Sequence, residues 1–514
     1  MIRKISFFTL VFTILLTFLT FQANAVVKAG AKCPSIGVKS VVGKITFTCT
    51  KSGKKLIWSS GKVPSPVKLI DVKQIFSTDD GFYDDLAGPF SNDPRLPLEW
   101  LEVKKSFEQH RISFGQARLA KYNLGVTRPS VSYQSATDFN KVESCKITSS
   151  PIWNGLSFPD VWQRDRRHPG PNSVIQLIPI YSEDTAKPVN SPTQDYLKYL
   201  NLLKEWIDYS SDFGSNSQIR IPDEYIKFPN KVEPYKLYHP VSWDTPGHVR
   251  FNQDVIAAVD PVIDFSGANI GIVVAPPGTD ASIMQQAALG SFRTSEGLVV
   301  SGSSQFATLA TNMNKTQYAT LGQPFWWIHE LYHVGYGFDD HYGDAKNDLN
   351  TEYGMGWWTM MTPFGGDLSV WEKWQMGFVQ DSQIQCVINT NSSVHWIAPA
   401  SVKTKESKAI IIPISSTKVI VVESIRPVGL HYKIPQKLQG VLVYEIDLTK
   451  NQHGMGMKLS LPINRKLNSN PFAFDFFLGD APLRMGDRTE TNGYSIEVVE
   501  AGNFGDVIKI STKS

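Results

Sequence analysis

Residues 325–344 read FWWIHELYHVGYGFDDHYGD. Within them His329-Glu330-Leu331-Tyr332-His333 is an H-E-x-x-H motif, led in by the apolar run Phe325 to Ile328 that suits a helix with one buried face. Two imidazoles at i and i+4 leave a helix on the same face, about one turn apart. That spacing lets both nitrogens reach one Zn²⁺ at about 2.0–2.1 Å. Glu330, directly after the first ligand, is placed to act on the metal's water as general base. Gly335 and Gly337 then end the helix and turn the chain. Two satisfied histidines on an ordinary helix are the plainer reading. It leaves unexplained why three of the ten histidines, His329, His333 and His341, fall within thirteen residues.

Catalytic zinc keeps three protein ligands and an open position for water. Asp339, ten residues after His329 and just past the glycine turn, is the favoured third ligand. Its neighbours Asp340 and His341 compete, and Glu352 and Glu372 offer a carboxylate from a later element. The losers would support the site from behind or lie on the surface.

Around this window the chain is of mixed type, which predicts an α+β fold. In Asp195 to Tyr209 (DYLKYLNLLKEWIDY), Tyr196, Leu200, Leu203 and Ile207 recur at helical spacing and predict the core face of an amphipathic helix. Ala268 to Ala275 (ANIGIVVA), closed by Pro276-Pro277-Gly278, reads as a buried strand, with a second strand close by at Gly297 to Val300. Beyond residue 396 apolar runs alternate with turn residues: Ala409 to Ile414, Val419 to Val422, Val441 to Ile446, Tyr494 to Val499 and Val507 to Ile510. That density of strands predicts a β-sandwich-like C-terminal domain over 396–514.

Upstream, Arg3 and Lys4 precede the apolar run Ile5 to Phe21, and Gln22-Ala23-Asn24-Ala25 supplies the small residues of a cleavage site. Residues 1–25 therefore read as a secretory signal, which predicts an extracellular protein, wall-associated or free, with no membrane span after cleavage. Export makes disulfides reasonable. Cys33 and Cys49 are near neighbours, which leaves Cys145 for Cys386 by elimination. Residues 26–63 hold eight lysines and no acid, and their short β-like runs (Val41-Val42, Ile45 to Thr48, Leu56 to Trp58) predict a small disulfide-closed module. Such a module could hold an anionic cell-wall polymer, or it could be a solvated spacer. Pro64 to Pro66 mark a linker, and 64–395 is the expected catalytic block. A net charge of +3 over 514 residues is too weak for a dedicated nucleic-acid binder.

His329 to Asp344 (HELYHVGYGFDDHYGD), then Gly356 to Met361 (GWWTMM) and Asp367 to Phe378 (DLSVWEKWQMGF), resemble the immune inhibitor A metallopeptidases. The likeness continues at Val422 to Arg426, at Gly440 to Asp447 and upstream at Asp264 to Gly267. It covers about 260–450 well, 67–260 weakly and 26–63 not at all. It implies a zinc endopeptidase with a zincin fold, in which the edge strand of a twisted sheet binds substrate above the zinc helix. It also implies that Met361 or Met360 lies beneath the metal in a tight turn. Family members often carry Ca²⁺, but no D-x-D-x-D-G loop occurs here, so calcium stays open. The chain departs from the family pattern at Tyr332, where glycine is usual, and at Tyr336, where the pattern's other glycine falls. A bulky Tyr332 would narrow the site.

The expectation is thus a secreted zinc endopeptidase acting on protein or peptide substrates, with His329, His333 and Asp339 on the metal and Glu330 as base. Tyr336, Tyr342 and His341 are candidates to steady the oxyanion. The competing expectations are a non-catalytic wall-binding protein on the same scaffold and a zinc hydrolase of a non-protein bond. No G-x-S-x-G elbow supports a serine hydrolase. The tryptophans near the motif are better placed for a core than for sugar binding.

Overall fold

Apolar runs in the sequence become strands, and their length and alternation decide how deeply each is buried. The computed structural model describes residues 27–59 (except 37, 43, 44 and 53), 69–71, 127–134, 141–148, 155–158, 170–237, 246–280, 283–284, 290–304 (except 298), 328–341 (except 330 and 334), 354–362 (except 357), 367–388, 391–450 (except 432, 433 and 435), 456–467 and 478–513. The expected signal segment 1–25, the linker at Pro64 to Pro66, Glu330, Tyr342 and Glu352 lie outside the described residues. The chain divides into two compact units, Met1–Ser65 and Pro66–Ser514.

The first unit is an antiparallel meander of β1 (Lys39–Val42), β2 (Ile45–Ser52) and β3 (Lys55–Trp58). Phe47 and Cys49 point inward at alternate positions of β2 and meet Trp58, while Cys33 closes the core through the Cys33–Cys49 disulfide. Four buried residues are a small core, so the cross-link carries a large share of the unit's stability.

The second unit is mixed α/β with several sheets. Its first sheet contains β4 (Leu69–Asp71), β5 (Val174–Tyr181), β6 (Gln218–Pro222), β7 (Ile226–Lys227), β8 (Ile270–Val274), β9 (Gly290–Arg293) and β10 (Val299–Ser304). The order is β4-β6-β5-β8-β10-β9, with β7 pairing with β5. Strands β6, β5, β8 and β10 run parallel, while β4 and β9 are antiparallel to their neighbours. Parallel strands need cover on both faces, and the central pair has it. Ile175 and Leu177 of β5 and Ile270 and Ile272 of β8 pack on α1 (Pro192–Ser210), against its Tyr196, Leu200, Leu203 and Ile207. The alternate residues Ile178, Ile180 and Val273 pack on α2 (Pro246–Val259), against Phe251, Val255 and Val259. Helix α1 starts at a capping box: Ser191 Oγ accepts the Gln194 N–H, and the Gln194 side chain accepts the Ser191 N–H.

The expected C-terminal strands all form. One sheet runs β11 (Ile384–Cys386), β13 (Ala409–Ser415), β14 (Lys418–Ile425), β15 (Gly440–Asp447) and β16 (Met457–Leu459). The other runs β12 (Ser392–Ile397), β19 (Gly505–Thr512), β18 (Tyr494–Gly502) and β17 (Arg488–Thr491). Ile410, Ile412, Ile420 and Val422 of the first meet Ile496, Val498, Ile508 and Ile510 of the second in one core, so the two sheets face each other. The reverse face of the first sheet is also buried. Ile411, Val419, Val421 and Tyr444 pack against Trp371 and Trp374 of α3 (Val370–Met376) and against Trp358. This double burial accounts for the unbroken run Val419 to Val422, where a half-exposed strand would alternate. Residues from both expected blocks, 64–395 and 396–514, therefore share one compact unit. The Cys145–Cys386 disulfide lies in the same core and closes 241 residues of sequence, a loop for which chain entropy alone would supply about 5 kcal/mol. Among the described residues no helix is long and apolar enough to cross a membrane.

The core also holds titratable groups. Burial pushes Glu423 up to about 8, against which the Val370 N–H and the Tyr444 hydroxyl pull the other way. A glutamate raised in the folded state stabilises below its unfolded value of 4.5, and that contribution is lost as pH rises to about 8. Glu423→Gln, a neutral side chain of the same shape, should therefore gain stability relative to the parent as pH goes from 5 to 8. The gain should be on the order of a few kcal/mol, read from paired denaturant melts. A constant difference across that range would mean that Glu423 ionises normally in the fold.

Candidate metal centre

Ile328, Leu331 and Tyr332 are fully buried in the core that α1 shares with the first sheet, so the helical residues 328–335 have one fixed face. His329 and His333 lie one turn apart and off that face. The helix ends as its glycines suggest, though only one of them does the turning. Gly335 remains helical, whereas Gly337 has φ 87°, a left-handed conformation that glycine adopts without steric cost. The Tyr332 carbonyl accepts the N–H groups of Tyr336, Gly337 and Phe338 at 3.2, 3.0 and 3.3 Å. Gly155 presses on this turn so closely that a Cβ there would lie 2.3 Å from the Gly337 oxygen.

The turn delivers a carboxylate to the two rings. Asp340 Oδ1 is 3.0 Å from His329 Nε2 and 3.4 Å from His333 Nε2, and the two Nε2 atoms are 3.0 Å apart. The carboxylate in this group is thus Asp340 and not the favoured Asp339. Asp339 Oδ1 instead accepts the N–H of Asp340 at 2.9 Å.

Backbone carbonyls orient both imidazoles. His329 Nδ1 is 2.9 Å from the Met360 oxygen, and His333 Nδ1 is 2.6 Å from the Phe338 oxygen. A carbonyl only accepts, so each Nδ1 carries a hydrogen, and each ring turns its Nε2 toward the other ring and the Asp340 oxygen. Two unprotonated Nε2 atoms and an anionic oxygen at such distances repel unless a positive charge, a metal ion or a shared proton, sits among them. Atoms bound about 2.0–2.1 Å from a tetrahedral ion stand about 3.3 Å from one another, which the separations of 3.0, 3.0 and 3.4 Å match. Two imidazoles and one carboxylate also form the ligand set of catalytic Zn²⁺. His333 and Asp340 keep 18% and 16% of their side-chain surface exposed, so the group opens to solvent on one side.

Beneath the rings, the turn at 359–362 is held from several directions. Met360 and Met361 are buried in the same core as Ile328, Leu331 and Tyr332. The Met360 N–H donates to the Asp367 carbonyl, and the Met361 carbonyl accepts the His341 N–H, both at 2.7 Å. Glu372, wholly buried, joins the turn to the segment that carries Asp340. Its Oε2 accepts the hydroxyl of Thr359 at 2.6 Å and the hydroxyl and N–H of Ser369 at 2.7 and 2.8 Å. Its Oε1 is 3.1 Å from His341 Nε2. Burial disfavours the charge on Glu372, but His341 and these hydroxyls outweigh it and hold the carboxyl below its ordinary value.

Several expected roles change. Glu372 and His341 pair with each other rather than joining the metal group, and His341 is too deeply buried to meet substrate. Tyr336 is buried as well, donating its hydroxyl to the Ser157 carbonyl at 3.3 Å and accepting from Gln375 at 3.1 Å, so it does not steady an oxyanion. Tyr332 packs on Trp206 and Phe338 on the core side of the helix and does not narrow the site. Thr359 and the Met360 and Phe338 carbonyls went unforeseen; carbonyls leave no residue-type signal at all. Neither a protein-family profile nor a curated protein matches the chain.

Proposed function

We propose that the chain is an exported metal-dependent endopeptidase of zincin type. The observation that carries this reading is the convergence of His329 Nε2, His333 Nε2 and Asp340 Oδ1, with both rings locked by backbone carbonyls. A bound Zn²⁺ would supply an acidified water and a Lewis acid for the scissile carbonyl. Glu330, by its place after His329 in the motif, is the residue to take the water's proton and return it to the leaving amine. His329, His333 and Asp340 would hold the ion, with His333 and Asp340 on its partly exposed side.

The sheet supports the same reading. Among the described residues, strand β9 ends the sheet order and runs antiparallel to β10. An edge strand presents unpaired backbone groups to which an extended peptide can add as a further strand. The two disulfides agree with export into an oxidising compartment.

The purified chain should contain about one zinc, clear casein, and lose clearing with a chelator. Asp340→Ala should release the metal and abolish clearing, whereas Asp339→Ala should keep the metal. The reverse pattern would return the third ligand to Asp339. Stoichiometric zinc without clearing of any unfolded protein would make the chain a non-catalytic scaffold.

A further inference from the structure

Charge in this chain is sharply divided. Residues 26–63 carry eight lysines with no arginine, aspartate or glutamate. Ten of the 51 basic residues precede position 64, leaving 41 against 48 acidic residues beyond it, a net −7. An anionic surface would therefore repel most of the protein and attract its first unit alone.

Strand register shows where the charge lies. Lys39 stands opposite Thr48, and Lys55 stands opposite position 52, at the far end of the same face of β2. Thr50, opposite Ile57, lies between them on that face. Lys39, Lys55 and Thr50 are exposed. The face is thus a strip with threonine hydroxyls along it and a lysine at each end on opposite flanks of β2, about 13 Å apart along the strand and about 10 Å apart across it. Lys54 lies in the turn beside Lys55, and the exposed Lys32 lies beside β3 through its bridge to Ile57, whereas Lys51, opposite Leu56, points to the other face. The disulfide and the small core fix the strip in advance, so little is lost to ordering when it binds.

We infer that the first unit is a docking module for a hydroxylated polyanion, a glycan or polyol chain with regularly spaced phosphate or carboxylate groups, which lies along β2 between Lys39 and Lys55. Three observations select this occupant. The exposed aliphatic Val42 is opposite Ile45 and so on the other face, and Ile57, on the strip itself, is half-buried, which leaves little exposed grease there for insertion into a lipid surface. Phe47 and Trp58 are buried, leaving no ring on the strip for stacked bases. Lysines without arginine give hydrated point charges suited to loosely spaced anions, not bidentate forks. This inference does not depend on the peptidase reading.

The test uses the full secreted chain. Binding is measured with poly(glycerol phosphate), with alginate, with uncharged dextran, with phosphatidylglycerol vesicles and with single-stranded DNA at several salt concentrations. Expected are binding to both hydroxylated polyanions and none to dextran, with affinity falling steeply as salt rises. Lys39→Ser with Lys55→Ser changes only exposed side chains. It should weaken polyanion binding roughly tenfold or more at low salt and lower the salt slope by about two charges. Unaltered affinity in that variant overturns the assignment of the strip. Tighter binding to the vesicles or to DNA than to either polymer overturns the choice of occupant.

Discussion

Glu330→Gln is expected to retain about one zinc per chain and to lose at least about a hundredfold in the rate of casein hydrolysis, since a positioned general base contributes on the order of 10²–10⁴. The amide keeps the size of the carboxylate and cannot take a proton from water. The three donors that converge on the metal position are His329, His333 and Asp340, and none is altered. Metal content and rate should therefore separate in this variant, whereas Asp340→Ala should lose both. Zinc analysis with initial rates on one preparation checks it. Turnover of Glu330→Gln at the parent rate would mean that another group activates the water. Loss of zinc together with rate would put Glu330 among the ligands.

How far the sequence reaches depends on what kind of atom does the work. Helix α1 was legible because its buried residues repeat at the helical period, and Tyr196, Leu200, Leu203 and Ile207 all face the core. Strands β8, β13, β14, β15, β18 and β19 were legible for the same reason: apolar runs ended by turn residues. The His329–His333 pair was legible because i,i+4 spacing is itself a geometric statement. The choice between Asp339 and Asp340 was not. It turns on which of two adjacent side chains faces the rings, and two aspartates side by side give the sequence nothing to choose by. Tyr336 and Tyr332 misled for a related reason. Both fall at positions that differ from the family pattern, and a departure from a pattern does not say whether the new side chain faces the site or the core.

The division into blocks shows a limit of another kind. A strand count beyond residue 396 rightly predicts two β-sheets, yet β11 and β12 begin before that boundary. The face of the first sheet that carries Val419, Val421 and Tyr444 is covered by α3. Helix α3 in turn supplies Glu372 to the turn beneath His329. The C-terminal sheets are thus a mechanical backing of the His329–His333–Asp340 group, connected to it through α3.

That connection sets the second large effect. Glu372→Ala should weaken zinc affinity by about 10- to 100-fold, the range seen when groups that orient metal ligands are removed. One carboxylate binds the Thr359 turn, whose Met360 carbonyl fixes the His329 ring, and faces His341, the residue after Asp340. Removing it frees both supports at once and leaves the Thr359 and Ser369 hydroxyls and the His341 ring without this partner in the interior. The second consequence should cost stability, about 3–5 kcal/mol for a broken buried pair. Affinity must therefore be measured well below the melting temperature, by chelator competition with Zn²⁺ and by the visible spectrum of the Co²⁺ form. Glu372→Gln keeps an oxygen for the two hydroxyls and should recover much of the stability. Its neutral amide holds His341 less firmly, so the metal affinity should recover less. If both variants bind zinc as tightly as the parent while fully folded, Glu372 only braces the core, and the position of the rings is set by the Met360 and Phe338 carbonyls alone.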